Sequence, residues 1–154
     1  MHGQRTDGFH ELTSLVVALK FGDTLTIRRG GSADVLRCSD PMVPLGLENL
    51  VLKAAAVFRA RLGRAEHFEF DLDKRIPMGA GLGGGSGNAA VALCGMNQLS
   101  GEPFSNQVLC ELAAQLGSDC PFFIEGQAAW MRGRGEVIEP LAAEVAERLN
   151  GTRL

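Results

Sequence analysis

The residues best suited to chemistry lie in one run, Pro77-Met78-Gly79-Ala80-Gly81-Leu82-Gly83-Gly84-Gly85-Ser86-Gly87-Asn88. Glycine admits positive φ and lets backbone N–H groups approach a ligand with no Cβ in the way. The small residues from about Asn88 to Leu99 read as a helix. Those amides would therefore sit beside the positive end of a helix dipole, a setting that suits a polyphosphate. Three familiar glycine loops test the reading. A P-loop requires Lys followed by Ser or Thr after its last glycine, and Ser86-Gly87 stands there instead. Gly79-x-Gly81-x-x-Gly84 matches the dinucleotide fingerprint in form, but the strand before it alternates and Pro77 intervenes, unlike the continuous apolar strand of a parallel sheet. The HRD and DFG signatures of protein kinases do not occur. Phosphate binding by a loop of another kind is the reading, and a flexible turn with close helix packing is its competitor.

Other candidates carry less on their own residues. Asp119 lies in Gly117-Ser118-Asp119-Cys120-Pro121, a constrained loop where a carboxylate can be aimed. A helix cap before Pro121 is the plainer reading of it. Lys74 with Arg75 could be a solvated turn after a strand, Asn49 a helix cap, and His10 beside Phe9 a packed surface pair. His2 and His67 read as surface residues and Trp130 as core. Cys38, Cys94, Cys110 and Cys120 form no CxxC pair and have no histidine at metal spacing. They read as reduced core thiols rather than a zinc site or a disulfide framework.

The elements that must position these residues follow from periodicity. A short apolar run, Leu15 to Leu19, is broken by Phe21-Gly22-Asp23. Thr24 to Arg28 then alternates polar and apolar as a strand with one wet face. Gly30-Gly31-Ser32 is a turn signal, and Asp34 to Cys38 is expected to pair back on the preceding strand as a hairpin. From Asn49 the period becomes helical, with Leu50, Ala54, Val57, Phe58 and Leu62 on one stripe and Gly63 closing the end. Phe68, Phe70 and Leu72 alternate with acidic residues in another half-exposed strand. Ser105 to Leu116 reads as a helix with Ser105 as cap and Val108, Leu109, Leu112, Ala113 and Leu116 buried. Gln127 to Met131 and Glu136 to Ile138 read as strands joined through Arg132 to Gly135. Alternating strands with helices but no βαβ rhythm predict an α+β fold with a mixed or antiparallel sheet.

The bulk properties agree with one domain. The chain has 154 residues, 45% hydrophobic and 21% charged, enough to bury a core. A net charge of −3 argues against a nucleic-acid partner. No apolar run reaches the roughly 20 residues that cross a bilayer. The first residues lack the apolar stretch of a signal peptide, so no membrane partner and a cytoplasmic location are expected.

Together these segments resemble the GHMP kinases, whose signature is a proline followed by a glycine-rich loop opening a helix. Four stretches carry the resemblance: Gly3 to Leu12, Glu48-Asn49-Leu50-Val51, Asp73 to Ala90, and Gly117 to Phe123. They resemble in particular the branch that phosphorylates the C2 hydroxyl of a cytidyl sugar alcohol in non-mevalonate isoprenoid biosynthesis. The resemblance implies a GHMP-kinase N-terminal domain (ribosomal protein S5 domain 2-like) over residues 1–141, followed by a charged tail at 142–154. It implies ATP and Mg²⁺ as cofactors, with no metal-ligating residue assigned, and no oligomeric state. Asn49 and Lys74 would line the adenine side. Pro77, Met78, Gly79 and Ala80 would lead into Gly81, Leu82, Gly83, Gly84, Gly85 and Ser86, which wrap the phosphates. Phe9 would stack on the cytosine ring and His10 would hydrogen-bond it. Asp119 would accept the proton of the attacking hydroxyl, the one base that phosphoryl transfer asks for beside amide donors and a cation.

Three departures from the family pattern are expected to matter. The strand that carries the family's catalytic lysine, ahead of Gly3, is missing, which would leave a sheet edge open to self-association. The family's second lobe, after Leu141, is absent. Gly87 stands where the family loop has a second serine. The chain alone is therefore expected to turn over poorly or not at all. The alternatives are another GHMP small-molecule kinase of the homoserine or mevalonate type, a truncated ATP-binding module without catalysis, or a structural interaction domain.

Overall fold

A computed structural model describes residues 2–4, 10–17, 21–133 and 137–142. By contact clustering the chain forms two compact units, residues 21–124 and the two flanking segments together.

The unit over 21–124 contains the sequence's strongest signals. Its sheet has three strands, β3 (Thr24–Arg29), β4 (Val35–Cys38) and β5 (Phe68–Asp73). Three helices belong with it, α1 (Leu50–Leu62), α2 (Gly84–Leu99) and α3 (Asn106–Ala114), and a short α4 runs Cys120–Glu125. α1 begins and ends where its caps require. The Asn49 side chain accepts the Val51 N–H at 2.9 Å, and Gly63 takes a left-handed φ of 71°. Ser105 likewise caps α3 by accepting the Val108 N–H.

The β3–β4 hairpin expected from Gly30-Gly31-Ser32 does not form. The strand order is β3-β5-β4, with β3 antiparallel and β4 parallel to β5. Two contacts explain the crossing. The Gly30 N–H donates to the His67 carbonyl at 2.9 Å, ending β3 beside the start of β5. Asp34 then accepts the Phe68 N–H at 3.0 Å and pairs with Arg59, so β4 is launched alongside β5. The central place goes to the strand with the most apolar face. Phe68, Phe70 and Leu72 are buried against Phe58, Leu93 and Met96, and burying each such side chain contributes roughly 1.5–3 kcal/mol.

The other unit holds a four-stranded antiparallel sheet, β1-β2-β6-β7, from β1 (His2–Gln4), β2 (His10–Val16), β6 (Ala129–Gly133) and β7 (Val137–Pro140). The C-terminal strands expected at 127–131 and 136–138 are this β6–β7 pair, and residues 134–136 of the expected turn lie outside the described residues. Trp130, expected in the core, is 39% exposed. It stands directly across from Leu15 and Glu139, and residues directly opposite share a face of the sheet. All three are exposed, because the register assigns them to the wet face. Of the tail expected after Leu141, residues 143–154 lie outside the described residues.

Candidate functional site

The helix expected from Asn88 starts four residues earlier, at Gly84. Gly79, Gly81 and Gly83 take left-handed φ values of 73°, 72° and 66°, and Gly84 to Gly87 are already the first turn. The Gly87 N–H bonds the Gly83 carbonyl at 2.8 Å, opening the helical ladder. Gly83 supplies no side-chain cap and the first turn holds no acidic residue. The leading N–H groups of α2 have no partner within a helix, and neither the cap nor the first turn supplies an acidic side chain to them. Helix starts of this composition are where proteins commonly receive anions.

A buried carboxylate fastens this loop from below. Asp23, read from sequence only as part of a strand break, accepts four hydrogen bonds: Lys74 Nζ at 2.6 Å, the Arg75 and Ile76 N–H groups at 2.7 Å each, and Asn88 Nδ2 at 2.9 Å. Its side chain is 2% exposed and that of Lys74 7%. Burial pushes the Asp23 carboxyl up, but the lysine, the two backbone amides and Asn88 outweigh it and hold the group at about 2. Lys74 also donates to the Ile76 carbonyl. Its ammonium thus lies beneath Gly84, where a side chain's Cβ would meet Nζ at 3.2 Å. The competing reading of Lys74 as part of a solvated turn is ruled out by this burial.

Asp119 is half-buried and immediately precedes α4. Pro121 falls in the first turn of α4, where a missing N–H costs nothing. The Asp119 carboxylate lies 3.7 Å from where a Cβ on Gly83 would stand. Beside it, burial raises the Cys120 thiol pKa, with a hydrogen bond to Ser86 opposing and the Asp119 charge adding to the rise. Ser86 and Asp119 thus converge on one thiol. The Phe123 ring fills the space between α4 and the start of α2. At Gly87 a Cβ would find Phe123 at 3.4 Å, ordinary contact, so the serine of the family loop is not excluded there by packing.

The loop and its surroundings enclose a cavity of about 370 Å³, with Val43, Pro44, Leu50 and Leu72 as an apolar wall. Asn49, Lys74 and every residue from Pro77 to Ser86 line it, so all of the sequence-derived nucleotide residues meet in one place. Asn49 does so with its side chain already engaged. Beyond its capping bond it donates from Nδ2 to the Pro44 carbonyl at 2.8 Å, which holds the wall in place. Asp119 is not part of this lining and reaches the loop at Gly83. Phe9 lies outside the described residues. His10 begins β2, and its side chain lies outside them too.

Sequence reasoning missed Asp23, Phe123 and the Val43–Pro44 wall. No local pattern marks Asp23, whose partners lie 51 to 65 residues away. Among the described residues no group of three or more His, Cys, Asp or Glu is arranged to hold a metal ion. None of their helices is long and apolar enough to cross a membrane.

Comparison with known proteins places the chain in a family. The family described as GHMP kinases N terminal domain matches residues 49–127, from the cap of α1 through the glycine loop and past α4. The chain is 47% identical over 143 residues to a 4-diphosphocytidyl-2-C-methyl-D-erythritol kinase of Protochlamydia amoebophila, covering 91% of this chain and 49% of that one. It is 43% identical over 150 residues to the chloroplastic 4-diphosphocytidyl-2-C-methyl-D-erythritol kinase of Mentha piperita, covering 96% of this chain and 37% of that one. Among solved structures, a 4-(cytidine 5'-diphospho)-2C-methyl-D-erythritol kinase superposes with a TM-score of 0.76 at 38% identity, covering 90% of this chain and 49% of that one. The chain thus spans about half or less of the length of these relatives.

Proposed function

This chain belongs to the GHMP kinases, and from that premise we propose that it forms the nucleotide-binding part of an ATP-dependent kinase acting on 4-diphosphocytidyl-2-C-methyl-D-erythritol, an intermediate of non-mevalonate isoprenoid synthesis. The observation that carries the reading is the approach of Asp119 to Gly83 at the uncapped start of α2. It puts a carboxylate next to the place that amides and helix dipole prepare for phosphates. The relatives' names supply the acceptor.

In this reading the apolar wall of Val43, Pro44, Leu50 and Leu72 takes the adenine side, and the N–H groups of the loop and first turn receive the phosphates. Ser86 adds a hydroxyl. Lys74, held under Gly84, contributes fixed positive charge without having to move. Asp119 takes the proton from the C2 hydroxyl as its oxygen attacks the γ-phosphorus and the bond from that phosphorus to the β–γ bridging oxygen breaks, releasing ADP. Phe9 stacks on the cytosine and His10 hydrogen-bonds it. The donor set supports Mg²⁺ arriving with the nucleotide, an ion usually bound by one or two carboxylates plus substrate phosphates. The four free thiols suit a reducing compartment, the cytoplasm in this reading.

Calorimetry with a non-hydrolysable ATP analogue and with the cytidyl sugar alcohol tests the two half-sites. Ser86→Leu is expected to weaken only the first ligand and His10→Ala only the second. Single-turnover transfer with the chain in excess is expected to fall by roughly 10²–10⁴-fold in Asp119→Asn, with analogue binding retained. A folded chain that binds neither ligand overturns the proposal. Transfer at an unchanged rate in Asp119→Asn overturns the assignment of the base.

A further inference from the structure

We propose that Asp23 is the positioning residue of the glycine loop, one buried carboxylate that ties the loop's entry to its exit and so presets the amides that meet the phosphates. On the entry side its Oδ1 accepts the N–H groups of Arg75 and Ile76, the two residues before Pro77. Its Oδ2 accepts from Lys74, also on the entry side, and on the exit side from Asn88, one turn into α2. The first part of the stretch between them, Pro77 to Leu82, is glycine-rich chain outside any helix or strand. A Cβ placed on Gly79 or Gly81 would meet nothing within 4 Å. Such a segment has more conformational freedom to lose on binding than any other composition, and ligand affinity is reduced by whatever ordering remains to be done. Fixing both ends through one acceptor removes part of that cost before the ligand arrives. The group's unusually low pKa, set by the same four donors, keeps the carboxylate ionised across the physiological range.

Asp23 touches no space that a ligand would fill, so its effect must pass through the loop, and a merely structural carboxylate would not distinguish one ligand from another. Two measurements on the chain separate these roles. One is backbone ¹⁵N relaxation over Gly79–Gly87. The other is titration with a non-hydrolysable ATP analogue and, separately, with adenosine. In Asp23→Asn the loop order parameters are expected to drop from near 0.85 to below about 0.6, while those of β5 and α1 stay unchanged. The analogue is expected to bind about tenfold more weakly and adenosine as before. Asn88→Ala removes the exit tie and leaves Lys74 paired, and since Asn88 itself lines the cavity its relaxation data carry more weight than its affinity. It is expected to show a smaller version of both effects, and it decides the matter if Asp23→Asn does not fold. Unchanged loop order and unchanged analogue affinity in the folded variants overturn the inference, and so does an equal loss for analogue and adenosine. The binding arm rests on the nucleotide reading of the cavity. A wild-type chain that binds no analogue overturns that reading, and the relaxation arm alone then decides the role of Asp23.

Discussion

The ring of Phe123 occupies the space that a side chain on Gly83 would need: a Cβ built there would lie 2.6 Å from Phe123 Cζ. With φ at 66°, Gly83 is doubly constrained, by backbone conformation and by the α4 side chain that closes the loop.

Gly83→Ala therefore costs more than Gly81→Ala. Both incur the left-handed penalty of about 1–2 kcal/mol, but Gly81 has open space and only Gly83 meets the ring. Thermal melting should show Gly81→Ala lowered by roughly 2–8 °C, at roughly 2–4 °C per kcal/mol for a chain this size, and Gly83→Ala by more. Adding Phe123→Ala to Gly83→Ala should recover part of the difference, a non-additivity expected of residues in contact. Equal losses for the two glycines would show that the ring exerts no constraint.

Asn49 joins helix stability to cavity shape. Asn49→Ala should cost about 1 kcal/mol for the lost cap and also weaken the ATP analogue, because the Pro44 carbonyl loses its donor. Asn49→Asp keeps the capping acceptor and lacks the donor. It should restore the melting temperature while binding the analogue as poorly as Asn49→Ala. Full recovery of binding in Asn49→Asp would remove Pro44 from the account.

Acid stability reads the Asp23 cluster. Its carboxyl lies at about 2 when folded, against an ordinary 3.8. A depressed carboxyl stabilises the fold above its unfolded pKa, and that stabilisation disappears as pH falls from about 4 towards 2. It amounts to about 2 kcal/mol. Urea midpoints taken between pH 6 and 2 should fall more steeply in this window for the wild type than for Asp23→Asn, which has no proton to take up there. Parallel curves would show that the carboxyl is not held low.

Much of the site was legible because its signals are local. Asn49, Gly63 and Ser105 mark helix ends through bonds to residues a turn or less away. Phe68, Phe70 and Leu72 announce a one-sided strand by alternation alone. The glycine run declares a backbone that must approach something closely, and with Asp73 to Ala90 and Gly117 to Phe123 it was enough to indicate the family.

What the sequence by itself determined, then, is the capped helices α1 and α3, the alternating strands β3 and β5 and the family pattern around the glycine run, since these depend on propensities and bonds within a few residues. Only the tertiary structure decided the rest. It put β5 between β3 and β4 through Asp34 and Gly30, turned Trp130 to the wet face of its sheet, and engaged Lys74 with Asp23. It also set Phe123 and Asp119 against Gly83. In each case the deciding partner is far along the chain or on the other side of a register, and the energy that selects it exists only once the chain has brought the two together.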